Sequence, residues 1–137
     1  MPYTEEQVFA KVKEAFEEAL GVEEDEVVLE ATVIDDLGAE SLDFLDIVFR
    51  LERAFDVKIP RGELERSVQE EMGAEPYEVD GVLTERALTK LAEAMPEVPA
   101  EELQPGLKTK DIPKLFRVAT FHNICTKLLA DKGELAA

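Results

Sequence analysis

Residues 36–55 read DLGAESLDFLDIVFRLERAF. Two patterns overlap there. Gly38 and a serine at 41, flanked by Glu40 and Asp43, stand before a run whose apolar residues recur at helical spacing. Phe44, Val48, Leu51 and Phe55 make one face; Leu42, Leu45 and Phe49 make a second, rotated off it. A surface helix needs only one apolar face. The second is either further core or a docking surface, and periodicity alone favours core. Ser41, just before the periodic run, has the position of a helix N-cap. Its capping box is incomplete, because the third residue after it, Phe44, cannot reach back to the backbone. Gly38 permits a tight turn before the helix. The two would present a small hydroxyl at an exposed corner, where a helix N-terminus favours a phosphate ester while Glu40 and Asp43 oppose it. Local physics allows a cap or an attachment point and leans to the cap.

Outward from this stretch the chain reads as helices. Thr4 and Gln7 have capping-box spacing, and Val8, Phe9, Val12, Phe16, Ala19 and Leu20 share a face that ends at Gly21. Residues 22–40 are a long connection, with Val33, Ile34 and Leu37 pinning it to the core. After Phe55, Asp56–Pro60 is an extended exit. Leu64, Val68 and Met72 predict a short amphipathic helix stopped by Gly73; Pro76 to Val82 reads as a turn; Leu83 to Met95 reads as another helix, ended by Pro96. Residues 96–110 are irregular. Asp111-Ile112-Pro113 opens a last helical region, with Val118, Phe121, Cys125 and Leu128 in register and Gly133 as its close. No strand-rich stretch, repeat or low-complexity run appears. The expected fold is an all-α small helical bundle. Its core helices fall at about 4–20, 41–55 and 112–131, with a helical insertion at about 62–109 in a single domain of 1–137.

The chain has 137 residues, 45% hydrophobic, enough for a core without staples. It has no long uncharged apolar run, so no stable membrane insertion is expected. One cysteine, Cys125, excludes an internal disulfide. Together with an N-terminus that lacks a signal pattern, it points to a cytoplasmic protein. The net charge is −17, from 32 acids and 15 bases, which disfavours nucleic acid and anionic membranes and favours basic partner surfaces. The charge is uneven: residues 105–137 hold six bases and three acids.

Catalysis finds little support. His122 is the only histidine and sits inside the last helix; Cys125, three residues on, lies on the apolar stripe and reads as a buried small hydrophobe. One histidine and one cysteine do not make a zinc site. Asp35, Asp36, Glu40 and Asp43 cluster, but their spacing is not that of an EF-hand loop, so no metal site is assigned. Isolated glycines exclude a phosphate-binding loop.

Asp36-Leu37-Gly38-Ala39-Glu40-Ser41-Leu42-Asp43 resembles the attachment motif of the acyl carrier protein family, D-L-G-A-D-S-L-D. Ala31–Asp35 is similar to the family's loop before the motif, and Leu51–Pro60 to the end of its second helix. The likeness covers about residues 4–61 and resumes at 112–128, where PKLFRVATF looks like the family's third and fourth helices. The resemblance implies that a transferase attaches 4′-phosphopantetheine to Ser41, and that the arm's thiol carries acyl groups as thioesters between enzymes. The carrier itself catalyses nothing.

The resemblance further implies partner docking through Glu40, Leu42, Asp43, Leu45, Asp46, Phe49 and Glu52, and shelter of the acyl chain by Ile47, Leu51, Ile59 and Phe121. The implied partners are phosphopantetheinyl transferase (holo-acyl carrier protein synthase) and acyl-activating, elongating and acyltransferase enzymes. A monomer is expected. Three departures stand out: Glu40 in place of aspartate, Arg50 and Arg53 where the family is usually neutral or acidic, and the insertion from Gly62 to Thr109. The insertion is reminiscent of specialised carriers, such as those for very long acyl chains of lipopolysaccharide lipid A. Its apolar faces, Leu64-Val68-Met72 and Leu88-Leu91-Met95, are expected to pack on the carrier core. Fatty acid or specialised lipid biosynthesis is therefore the leading reading. Two alternatives stand beside it: a carrier of polyketide or aminoacyl/peptidyl intermediates, and an acidic helical interaction module or calcium-binding protein in which Ser41 only caps.

Overall fold

Thr4 opens the first helix as its sequence spacing predicts. The Gln7 N–H donates to Thr4 Oγ1 at 3.1 Å and the Thr4 N–H donates to Gln7 Oε1 at 2.9 Å, satisfying two of the backbone groups a helix start leaves open. In the structure, a computed structural model, residues 2–59 and 63–136 are described, with the backbone alone at residues 41 and 63–67. The chain folds as two compact units, Met1–Ile59 with Phe116–Ala137, and Pro60–Leu115. It is mostly helical, all-α apart from one two-residue-per-strand hairpin.

The first unit holds α1 (Glu5–Leu20), α2 (Ser41–Phe55) and the last helix of the chain, α5 (Val118–Asp131). Gly21 closes α1 with φ 69, its N–H donating to Glu17 O. Residues 21–40 form a loop with one 3₁₀ turn, Glu24–Glu26, and it is pinned more firmly than periodicity suggests. Val27, Ala31, Val33, Leu37 and Ala39 are all buried, while Ile34 is only half-buried. Backbone bonds tie its root to the start of α5: Val33 N–H to Phe116 O, Val118 N–H to Ala31 O and Ala119 N–H to Leu29 O, at 2.9 to 3.0 Å.

The core of this unit is one cluster. From α1 come Val8, Val12 and Phe16; from α2, Ile47, Leu51 and Phe55; from α5, Val118, Phe121, Cys125 and Leu129. Phe121 meets Phe16 edge-on at 5.6 Å, and lies 6.0 Å from both Phe44 and Phe116. Two details differ from the periodic reading. Leu129 is the fully buried leucine of α5, and Leu128 is half-buried. The regular helix begins at Val118 rather than near 112, because Arg117 is extended (φ −117, ψ 169) and bridges Thr32. The segment Thr109–Leu115 is 3₁₀ and contains Pro113.

The two chain ends meet. Tyr3 pairs with Leu135 in a parallel bridge, through Tyr3 N–H to Glu134 O and Ala136 N–H to Tyr3 O, each 2.7 Å. The Tyr3 ring stands edge-on to Phe55 at 5.3 Å. Lys132 Nζ donates to the carbonyl of Asp56, the left-handed C-cap of α2, at 2.7 Å.

The second unit holds α3 (Glu63–Met72), a hairpin of β1 (Glu78–Val79) and β2 (Val82–Leu83), α4 (Glu85–Ala94), and 3₁₀ turns at Ala100–Glu102 and Thr109–Leu115. α3 and α4 pack together. Val68 and Met72 of α3 are buried, as are Ala87, Leu88 and Leu91 of α4 and Met95 at its end. Leu64, the third member of the predicted α3 stripe, has a side chain outside the described residues. The expected turn at residues 76–82 is a hairpin, because Asp80 and Gly81 both take positive φ (52 and 82), the pair that matches strand twist. Thr84, not Leu83, opens α4, its Oγ1 accepting from Ala87 N–H at 3.2 Å.

Cys125 is fully buried, and burial pushes its thiol up to about 12 from 9.0. The thiolate is the reactive form. Native protein is therefore expected to react with a thiol reagent only as fast as it unfolds, with full labelling in denaturant. Rapid labelling of the native protein at neutral pH would contradict the placement. Because the folded value lies above the unfolded one, this contribution to stability is complete below pH 9 and is lost as pH rises toward 12.

Candidate functional site

The corner before α2 is built by reciprocal bonds. Thr32 N–H donates to Asp36 Oδ2 at 2.9 Å and Asp36 N–H donates to Thr32 Oγ1 at 3.0 Å. Gly38 then turns the chain at φ 73, with its N–H on Ile34 O, and Ala39 N–H reaches Val33 O. A Cβ at Gly38 would meet nothing within 4 Å. Glycine is required there by the left-handed backbone and not by crowding.

Ser41 is the first residue of α2, and Glu40 is its N-cap. This corrects the expectation of a serine cap. The carboxylate of Asp43 reaches back one turn, and Glu40 N–H donates to Asp43 Oδ2 at 2.8 Å. The box lies one residue earlier than a serine cap requires, so Phe44 need not complete it. The neighbours of Ser41, Glu40 and Leu42, are exposed, as is Gly38, and the backbone at 41 lies at a helix N-terminus. The dipole of a helix N-terminus favours a phosphodiester; the charges of Glu40 and Asp43 oppose it.

The residues expected to dock partners divide. Leu42 is 77% exposed and Phe49 60% exposed, on one side of α2. Leu45, expected on the same open face, is half-buried. Three of the four acids are engaged within the fold, and Glu40 is exposed. Asp43 holds the cap. Asp46 accepts from Arg50 Nε at 3.0 Å, and Arg50 Nη1 also donates to Glu18 of α1 at 2.7 Å. Glu52 Oε2 accepts from the Ile59 N–H at 2.7 Å and so fixes the exit from α2. The four residues expected to line an acyl chain all belong to the core cluster: Ile47 and Leu51 fully buried, Phe121 3% and Ile59 9% exposed.

Sequence reasoning missed the Thr32–Asp36 pair and the Arg50 link to Glu18. The i,i+4 spacing of Asp46 and Arg50 was a usable signal; the contact to Glu18 was not, since it depends on how α1 lies on α2.

His122 is half-buried, edge-on to Phe9 at 6.0 Å, with its Nδ1 buried and without a hydrogen-bond partner among the described residues. Loss of water lowers its pKa from 6.5, against a smaller opposing pull from Glu5. The folded form thus refuses a proton that the unfolded chain accepts, and stability falls as pH drops below 6.5. The stability difference between wild type and His122→Gln, measured by urea unfolding, should shift in the variant's favour between pH 7.5 and 5.5. A pH-independent difference would contradict this. Neither His122 nor the buried Cys125 offers a nucleophile. Among the described residues, no group of three or more His, Cys, Asp or Glu side chains is placed to hold a metal ion. None of the described helices is long and apolar enough to cross a membrane.

Residues 10–71, with Ser41 near their middle, match the family model described as a phosphopantetheine attachment site. The chain is 49% identical over 61 residues to an acyl carrier protein of Thermotoga maritima, covering 44% of this chain and 75% of that one. It is 42% identical over 59 residues to an acyl carrier protein of Clostridium acetobutylicum, covering 43% and 77%. It is 45% identical over 62 residues to one of Campylobacter lari, covering 45% and 80%. The fold is mostly helical, and the matched stretch places it in the class of carriers that bear a phosphopantetheine arm. The chain belongs to the acyl carrier protein family, and its prosthetic group is 4′-phosphopantetheine.

Proposed function

We propose that Ser41 bears the arm and that the chain shuttles acyl groups as thioesters between enzymes of fatty acid or specialised lipid synthesis. One observation carries the choice of residue. Ser41 opens α2 inside the matched stretch between the exposed Glu40 and Leu42, and the N-cap position belongs to Glu40, whose N–H donates to Asp43. A phosphopantetheinyl transferase would supply the arm from coenzyme A: the Ser41 hydroxyl oxygen bonds to the phosphorus next to pantetheine, the P–O bond of the pyrophosphate breaks, adenosine 3′,5′-bisphosphate leaves, and the hydroxyl proton passes to a base of the transferase. When bound, the arm supplies a thiol on which the acyl group rides.

The chain's own residues do the rest. Gly38 and the Thr32–Asp36 pair hold the corner still. Leu42 and Phe49 offer apolar contact to acyl-activating, elongating and acyltransferase enzymes. Ile47, Leu51, Ile59 and Phe121 are the groups an acyl chain would part on entering the core. The insertion at 62–109, absent from ordinary carriers, is the reason to favour a specialised lipid, including the long chains of lipid A. A cytoplasmic site of action follows from these partners.

The test is the apo protein with coenzyme A and a permissive transferase, read by intact mass. One added phosphopantetheinyl group per chain is expected; no addition removes the reading. Loading of the resulting holo protein by acyl-ligating enzymes, and not by amino-acid-activating ones, separates acyl from aminoacyl carriage.

A further inference from the structure

α2 is nearly neutral in a strongly acidic chain. Its fifteen residues hold three acids and two bases, net −1, whereas residues 21–40 hold eight acids and no base. Two of the three helix acids are also committed inside the fold. Asp46 is paired with Arg50, which reaches on to Glu18, and Glu52 holds the Ile59 N–H. What α2 leaves open is a single ridge. Leu42, Phe49 and Arg53 are all exposed, and spacings of seven and eleven residues place them within about 20° of one line along the helix. Among the described residues Arg53 has no ion-pair partner. The ridge therefore runs apolar, apolar, cationic, while the dense negative charge lies on the loop that precedes Ser41.

A partner with basic groups along the whole helix would set like charge against Arg53, a mismatch that grows once Phe49 excludes water from the contact. We propose that the enzymes using this carrier meet α2 with an apolar hollow for Leu42 and Phe49, bordered by a carboxylate opposite Arg53, their basic side chains facing the 21–40 loop instead. The inference rests on the carrier reading above and names the chemistry of its partners.

The probe is a phosphopantetheinyl transferase whose docking surface carries an arginine or lysine facing this ridge. Arm transfer from coenzyme A is followed for wild type, Arg53→Glu and Lys58→Glu. Lys58 is exposed and lies beyond α2, and its change alters net charge equally. At low salt, Arg53→Glu should lower the KM for the carrier about tenfold, with the gain fading as salt is raised. Lys58→Glu should leave KM within about twofold. Replacing the transferase's facing base by glutamate should reverse the order, wild type becoming the better substrate. An unchanged or raised KM for Arg53→Glu, or an equal fall for Lys58→Glu, overturns the proposal while leaving the carrier reading intact. Absence of transfer to every variant at saturating carrier removes the carrier reading itself.

Discussion

Ser41→Ala should accept no phosphopantetheine under conditions that modify the wild-type chain completely. The expectation is an all-or-none mass difference, because the hydroxyl oxygen is itself one of the ester atoms. A serine variant at a helix start is open to the objection that it merely unravels the helix. Here the structure answers it. The start of α2 is held by Asp43 accepting from Glu40 N–H, and alanine is the best helix former at the position that follows. Ser41→Ala should therefore melt like wild type, within about 0.5 kcal/mol. The chain contains one other serine, Ser67. Ser67→Ala should be modified normally. Addition that survives in Ser41→Ala and disappears in Ser67→Ala would move the arm to the second unit.

The largest stability loss is expected for Phe16→Ala. Phe16 is fully buried and edge-on to Phe121, which in turn touches Phe44 and Phe116. Truncation removes a large side chain from a cluster fed by three helices and by the loop root, so the neighbours cannot collapse far. A cost of about 3–5 kcal/mol is expected. The chain has two tyrosines, Tyr3 packed on Phe55 in the first unit and Tyr77 buried in the second. A Tyr77→Phe background leaves tyrosine emission as a report on the first unit alone, so its urea midpoint can be followed cleanly. A loss below about 1 kcal/mol would show that the aromatic cluster is not the centre of this core.

What the chain discloses before folding depends on the range of the interaction. Thr4 with Gln7, Gly21 and the stripe of α1 are local, and they are read correctly because every partner lies within a turn. Ser41 as cap was also a local reading, and it fails for a local reason. The helix begins one residue earlier than its apolar run suggests, with Glu40 as N-cap and its N–H donating to the Asp43 carboxylate. Residues 78–83 looked like a turn because strands of two residues are too short to show alternation. The fates of Asp46, Glu52 and Arg50 depend on Ile59 and Glu18, which no spacing rule links to α2. Leu42, Leu45 and Phe49 stood out as a second face of the helix, which periodicity alone assigned to the core; Leu42 and Phe49 are exposed instead, and Leu45, at the margin, is half-buried. The attachment motif was legible through family likeness, whereas its local physics favoured a different role for the same serine.

The bridge between Tyr3 and Leu135 also bears on how the molecule can be handled. Both ends of the described chain gather beside Phe55 and Asp56, at the close of α2, while Ser41 opens it. Fourteen residue steps of helix separate the two places, about 20 Å along its axis. A surface anchor, a fluorophore or a fused protein joined at either end would thus sit at the rear of the carrier. The arm would remain presented to solution, and immobilised molecules would share one orientation toward any enzyme passed over them.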